Sequence, residues 1–149
     1  MRLVIQRVDK ASVSVNNQVI SSIGAGLLVF LGIEKGDTAG DADQMLEKVI
    51  NLRIFEDRDG KMNRSLLDCA GSLLVVSQFT LLGDCWKGKR PSFIHAEDPG
   101  PAKDLYEYFL KKAAEKAPCA AGGEFQAMMK VALVNDGPVT MMLDSRKRF

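Results

Sequence analysis

Two strongly apolar runs constrain this chain more than any other feature. Leu27 to Ile33 carries no charge and is bounded by Gly24, Gly26 and Gly36; Ser72 to Leu82 opens with Leu73-Leu74-Val75-Val76. Neither shows the alternation of a half-exposed strand, so each reads as a strand buried on both faces. No apolar run reaches the roughly 18 residues that a membrane span needs.

The remaining pattern supplies elements around these two strands. Leu3 to Val8 reads as a strand, Ala11 to Val15 as a second, and Asn16-Asn17 as the turn of a hairpin returning through Val19 to Ile23. From Asp41, the apolar residues Ala42, Met45, Leu46, Val49 and Ile50 recur at helical spacing, with Glu47 and Lys48 facing away. Asp57-Arg58-Asp59-Gly60 is a turn, and Gly83 to Pro91 a polar loop. Pro99 to Pro101 opens a second helix with Leu105, Tyr108, Phe109 and Ala113 on one face, and Pro118 ends it. Glu124 to Val134 predicts a strand, Asn135-Asp136-Gly137-Pro138 a tight turn, and Val139 to Leu143 the closing strand. The expected fold class is α+β: a strand-rich single domain over residues 1–149, with two helices and about seven strands in barrel-like antiparallel or mixed sheets.

Composition narrows the setting. The 149 residues, 46% hydrophobic and 26% charged, fit an ordinary globular protein. Met1-Arg2 leads straight into a strand pattern, so no secretion signal is expected. Cys69, Cys85 and Cys119 lack CxxC spacing, which argues against a disulfide framework or a zinc site and fits a reducing cytoplasm. The net charge of +1 does not advertise nucleic-acid binding. Basic residues do cluster, in Lys87-Gly88-Lys89-Arg90 and in Arg146-Lys147-Arg148, as solvated faces or phosphate contacts.

The common hydrolytic kits are missing. A serine or cysteine triad needs a histidine beside the nucleophile, and the one histidine, His95, stands at a loop edge. There is no HExxH, GxSxG or phosphate-binding glycine loop. Asp57 and Asp59 flank a Gly60 turn and read as turn formers.

Two segments resist a purely local account. Ser77-Gln78-Phe79-Thr80-Leu81 brings three polar side chains to the end of a buried strand, where they need hydrogen-bond partners or a task, unless the strand is simply leaving the core. Asn135-Asp136-Gly137-Pro138-Val139-Thr140 can be a plain hairpin turn. Yet X-Pro bonds adopt cis at modest cost, and a cis Gly-Pro would aim consecutive carbonyls outward with no glycine side chain to hinder a ligand.

Together these segments resemble the two signature motifs of the D-aminoacyl-tRNA deacylase family. The similarity extends to Met1-Arg2-Leu3-Val4-Ile5-Gln6-Arg7-Val8, to Gly60-Lys61-Met62-Asn63 and to Lys87-Gly88-Lys89-Arg90-Pro91-Ser92-Phe93, and so spans the chain. The resemblance implies a proofreading hydrolase of translation, acting in the cytoplasm on aminoacyl-tRNA without cofactor, metal or membrane. It implies a homodimer in which Gly137 and Pro138, joined by a cis bond, enter the partner's pocket opposite Ser77, Gln78, Phe79 and Thr80. Their carbonyls would hold the substrate's ammonium group and occupy the space of an L side chain, so D-aminoacyl and glycyl esters pass.

Further roles follow from the same resemblance. Asn135 belongs to the second motif, and Arg7 would orient the Gly-Pro segment by donating to its carbonyls. The Phe79 and Thr80 N–H groups would form an oxyanion site, Thr80 would position rather than attack, and the terminal ribose 2′-hydroxyl would assist. Met128 and Met129 would flank the adenine, though methionines also fill cores. Lys87, Lys89 and Arg90 would meet tRNA phosphates. Three other readings stay open: a nucleic-acid-binding module on the same fold, a deacylase of L substrates, and a structural dimerisation domain.

Overall fold

A computed structural model describes Met1–Phe149. Its backbone is a long antiparallel pair wrapped by shorter strands. Strand β1 (Arg2–Val15) turns through Asn16 and Asn17, both at positive φ, into β2 (Gln18–Ile23), and β3 (Gly26–Gly32) follows. Helix α1 (Ala39–Asn51) crosses to the small hairpin β4 (Phe55–Glu56) and β5 (Met62–Arg64), and then to β6 (Ser72–Ser77). A 3-10 turn (Phe79–Leu82), helix α2 (Pro99–Lys116), β7 (Cys119–Gly122) and β8 (Met129–Asp144) complete the chain. The main sheet runs β2-β1-β3-β6-β7 with β8 on the other side of β1. It curls into a nearly closed, barrel-like form.

The apolar runs are buried on both faces, as their lack of alternation requires. Leu27, Val29, Leu31, Leu73 and Val75 pack beneath α1 and α2; Leu28, Leu74 and Val76 point the other way, against Val8, Ala11, Val13 and Ile23. Each such side chain contributes roughly 1.5–3 kcal/mol by leaving water. β3 and β6 are parallel, from Gly26↔Ser72 to Leu31↔Ser77, which requires a crossover such as α1. A Cβ on Gly26 would lie 1.9 Å from the Ser72 carbonyl oxygen, so only glycine permits that approach.

α1 buries Ala42, Met45, Leu46, Val49 and Ile50, the predicted face. It begins two residues before Asp41, because Thr38 and Asp41 form a reciprocal capping box. In α2 the buried face is Ala102, Tyr106, Phe109 and Ala113, while Leu105 and Tyr108 are half-buried at its margin. The tyrosine inside is therefore Tyr106, one turn position away from the predicted face. No helix is long and apolar enough to cross a membrane.

Several expected boundaries change, each for a physical reason. Leu3–Val8 and Ala11–Val15 are one strand, with its pairing to β8 irregular around Val8. β6 stops at Ser77, because Phe79–Leu82 coils into the 3-10 turn. The short strands β4, β5 and β7 have too few residues for periodicity to reveal. Glu124–Met128 is a turn between β7 and β8 rather than strand, and the two strands expected on either side of Asn135–Pro138 are one, β8. The chain does not reverse there because both halves of β8 run antiparallel to the same strand, β1.

Candidate active site

Asn135–Val139 forms an excursion inside β8. Val8 pairs with Asn135 and Gln6 with Thr140, leaving Asp136, Gly137, Pro138 and Val139 opposite Arg7 alone. Such a bulge re-aims backbone without ending a strand. Asn135 closes its base: its Oδ1 accepts from the Val139 N–H at 2.9 Å, and its Nδ2 donates to Thr140 Oγ1 at 3.3 Å. Gln6 Nε2 donates to the same hydroxyl at 3.2 Å. The Gly137-Pro138 peptide is cis, and both residues are exposed. Gly137 sits at φ +120°, and a Cβ there would come within 2.7 Å of the Val139 side chain, which is buried.

Arg7 supports the excursion from beneath. It is buried, and its Nη1 donates to the Ile54 carbonyl at 2.6 Å. Nε lies 2.8 Å from Asp136 Oδ2 but off the N–H direction, so this is a charge pair and not an aligned hydrogen bond. Glu56 Oε1 stands 3.9 Å from Nη2. Arg7 thus holds the flank of the glycine through Asp136 and Ile54, where donation to the Gly-Pro carbonyls was expected. Arg7, Glu56 and Asp136, with Gly137 and Arg64, line a cleft of about 300 Å³.

The first motif opens onto a different and larger cleft, about 710 Å³. Ser77, Gln78, Phe79 and Thr80 form one wall, and Phe125 to Met129 another. The Gln78 N–H is fixed to the Leu31 carbonyl at 2.8 Å, and its side-chain amide donates to Thr80 Oγ1. Thr80 is thus oriented by an acceptor bond, with no base beside it. The exposed ring of Phe79 meets Phe93 edge-on, with centroids 5.0 Å apart. Met128 is 91% exposed in the turn before β8, and Met129 begins the strand; both line the cleft. Mostly apolar walls with a few polar groups at one end describe a pocket that orients a ligand.

Two residues of this region escaped sequence reasoning. Glu97 lines the cleft, its carboxylate accepting from the N–H groups of Gly36 (3.3 Å) and Asp98 (2.9 Å). Tyr106 lies behind β6, its hydroxyl 2.9 Å from the Val75 carbonyl and 3.1 Å from that of Gly123, tying the Phe125 wall to the strand that bears the motif. Burial pushes its phenol up to about 12. The helical period alone could have found Tyr106, since it stands four residues from Ala102; nothing in the sequence marks Glu97.

The other polar features fall outside both clefts. His95 is exposed and offers its carbonyl to the Lys35 N–H. Asp57 is a turn former: its Oδ1 accepts from the Asp59 and Lys61 N–H groups, and the Lys61 bond leads the effects that lower its carboxyl. In the exposed Arg146–Arg148 cluster both arginines are engaged within the chain, Arg146 pairing with Glu34 and Asp37, and Arg148 with Glu34 and Asp144. Lys87, Lys89 and Arg90 are exposed and join no ion pair.

The geometry has counterparts among known proteins. A family described as D-Tyr-tRNA(Tyr) deacylase matches residues 4–144. The D-aminoacyl-tRNA deacylase of Syntrophus aciditrophicus (strain SB) is 66% identical over 149 residues, covering all of both chains, and that of Clostridioides difficile (strain 630) is 54% identical with the same coverage. A solved structure titled c-Myc DNA Unwinding Element Binding Protein superposes with TM-score 0.91 at 41% identity, over 97% of this chain and 98% of that one. A probable eukaryotic D-amino acid tRNA deacylase shares the fold, with TM-score 0.79 at 18% identity over 95% and 97% of the two chains. The match runs from β1 through the cleft motif to the end of β8, and the chain belongs to the D-Tyr-tRNA(Tyr) deacylase family.

Proposed function

We propose that this chain is a D-aminoacyl-tRNA deacylase, hydrolysing the ester between a D-amino acid, or glycine, and the terminal ribose of tRNA. One observation carries the mechanistic reading: the two motifs are both intact but line separate clefts of one chain, with Gly137 and Pro138 absent from the one that holds Ser77 to Thr80. An exposed excursion of this kind would serve as a filter once a second copy presents it to that cleft. β8 supports this pairing of copies, since it is a 16-residue strand that pairs with β1 alone and exposes Val134 and Met142.

The chemistry then rests on placement. Water adds to the ester carbonyl, the bond to the ribose oxygen breaks, and the water's proton reaches that oxygen through the neighbouring 2′-hydroxyl. The Phe79 and Thr80 N–H groups begin the 3-10 turn, have no partners within it, and would receive the developing oxyanion. Ser77 and Gln78 hold the ribose end, while Met128 and Met129 bracket the adenine. The partner's Gly137 and Pro138 carbonyls accept from the ammonium group and leave no room for an L side chain. Arg7 and Asn135 keep that excursion in shape. Lys87, Lys89 and Arg90 meet the phosphates of the acceptor end.

Release of amino acid from matched D-tyrosyl- and L-tyrosyl-tRNA tests the reading. Rapid release from the D ester alone supports it, and release from neither sinks it. A second reading, a nucleic-acid-binding module without catalysis, draws on the printed name of the 41%-identical structure and on the unpaired loop cations. It predicts tRNA or DNA binding with both esters left intact.

A further inference from the structure

Trp86 is 94% exposed, the most exposed large apolar side chain of the molecule. Its setting is not a random projection. The Asp84 and Ser92 N–H and carbonyl groups exchange hydrogen bonds at 2.8 and 2.9 Å, closing the loop at its base, and the Trp86 N–H donates to Asp84 Oδ1 at 2.9 Å. Phe93, one residue past that closure, packs against Phe79 of the cleft motif. A packed and hydrogen-bonded path therefore runs from the cleft wall to the backbone of Trp86. Lys87, Lys89 and Arg90 follow Trp86 in the same exposed loop and join no ion pair, whereas three of the four lysines of α2, Lys103, Lys112 and Lys116, pair with glutamates.

We infer that Trp86 is a stacking platform for an unpaired base at the 3′ end of the tRNA, with the loop cations pairing the flanking phosphates. This rests on the function proposed above. An exposed flat aromatic face flanked by free cations fits a nucleic-acid single strand, whose bases are available to stack and whose backbone is anionic. Duplex bases are already stacked on one another and offer no such face. The location agrees: Phe79 lines the cleft and packs on Phe93, so the loop adjoins the cleft wall, where nucleotides preceding the esterified adenosine would pass. Leaving an indole in water forgoes the burial that would otherwise stabilise it.

The chain contains 1 tryptophan, so its emission reports this indole and nothing else. The experiment titrates the intact protein with uncharged tRNA and with the same tRNA trimmed of its unpaired 3′ nucleotides, following tryptophan emission and, separately, complex formation by anisotropy of labelled RNA. Intact tRNA is expected to quench the emission and the trimmed form to leave it unchanged. Trp86→Ala is expected to weaken binding of intact tRNA about tenfold, with Trp86→Phe retaining most of it and both variants melting as the parent does. Saturating tRNA without a change in emission overturns the inference, as does equal quenching by trimmed tRNA or unchanged affinity in Trp86→Ala. Emission already blue-shifted without RNA, and moving on dilution, also overturns it, because a second copy of the chain then covers the indole. Release from D-tyrosyl-tRNA by the parent protein is scored independently. Release without quenching removes this inference and leaves the function standing; quenching without release does the reverse.

Discussion

Arg7 Nε stands 2.8 Å from the carboxylate of Asp136, so a cation buried in β1 and the residue before Gly137-Pro138 hold each other across the sheet. The same guanidinium donates to the Ile54 carbonyl, which links the excursion of β8 to the segment after α1. The two ends of this pair differ in setting: the Arg7 side chain is 5% exposed and that of Asp136 46%.

That difference sets the expected cost of each substitution. Arg7→Met deprives a buried carbonyl of a charged donor and is expected to lower unfolding free energy by about 1.5–3 kcal/mol. Asp136→Asn alters a half-exposed ion pair and is expected to cost about 1 kcal/mol or less. Urea unfolding of the two variants checks this; equal losses would show that the pair, and not the Ile54 bond, carries the support.

Gly137→Ala places a Cβ at φ +120° and against the Val139 side chain. Strain of this kind costs of order 1–3 kcal/mol and here would displace the proposed filter. Selectivity for the D ester should be lost or activity abolished. Gly60→Ala is the control: it also has positive φ, but with nothing within 4 Å, so its cost of about 1–2 kcal/mol should leave D-ester release and selectivity intact. Matching kinetics for the two variants would remove Gly137 from the site.

Tyr106 makes a prediction at alkaline pH. Its phenol is raised from 10.0 to about 12 by burial, so the neutral form is favoured in the folded state. Its contribution is complete below about pH 10 and is lost as pH rises toward 12. Tyr108 is also raised, chiefly by its hydrogen bond to Asp43, so both tyrosines add to the alkaline loss. Tyr106→Phe is expected to be about 1 kcal/mol less stable at neutral pH, through its missing hydrogen bond, yet to lose less on passing to pH 11. Urea midpoints at both pH values check it; parallel losses in parent and variant would contradict the assignment.

At acid pH the C-terminal cluster takes over. Burial works to raise the carboxyls of Glu34 and Asp144, but Arg148 outweighs it at Glu34, as do the Arg146 N–H and Arg148 at Asp144, and both end below the usual carboxylate range. A lowered folded pKa contributes stability that is complete above the unfolded values of 4.5 and 3.8 and is lost as pH falls below them through the lower folded values. Arg148→Gln should cost about 1–3 kcal/mol at neutral pH, with Tm falling by roughly 2–4 °C per kcal/mol. The acid loss should be correspondingly smaller in the variant. An unchanged Tm at neutral pH would show that Arg146 alone neutralises Glu34.

Much of the fold was legible because it depends on burial and period. The runs at Leu27 and Leu73 announced strands covered on both faces, and the spacing of Ala42 to Ile50 announced α1. The motif residues were legible too, by resemblance, and the cleft does gather Ser77 to Thr80 with Met128 and Met129. What failed was continuity. Asn135-Asp136-Gly137-Pro138 carries the chemistry of a turn, and turn chemistry describes local dihedrals; whether the chain then reverses depends on which strand lies alongside. The same limit made two strands of β1 and extended β6 into the 3-10 turn.

The sequence by itself determined which residues must be buried, where helices start, and which two short segments lie outside ordinary structural needs, because apolar transfer, capping and polar satisfaction are properties of side chains and their nearest neighbours. Only the tertiary structure decided that β8 passes straight through its Gly-Pro excursion, that Arg7 grips Asp136, that Tyr106 braces the cleft wall, and that the two motifs face different clefts. Those relations join residues as far apart as Arg7 and Asp136, and they arise from the pairing of β8 along the whole of β1, which no local stretch of sequence encodes.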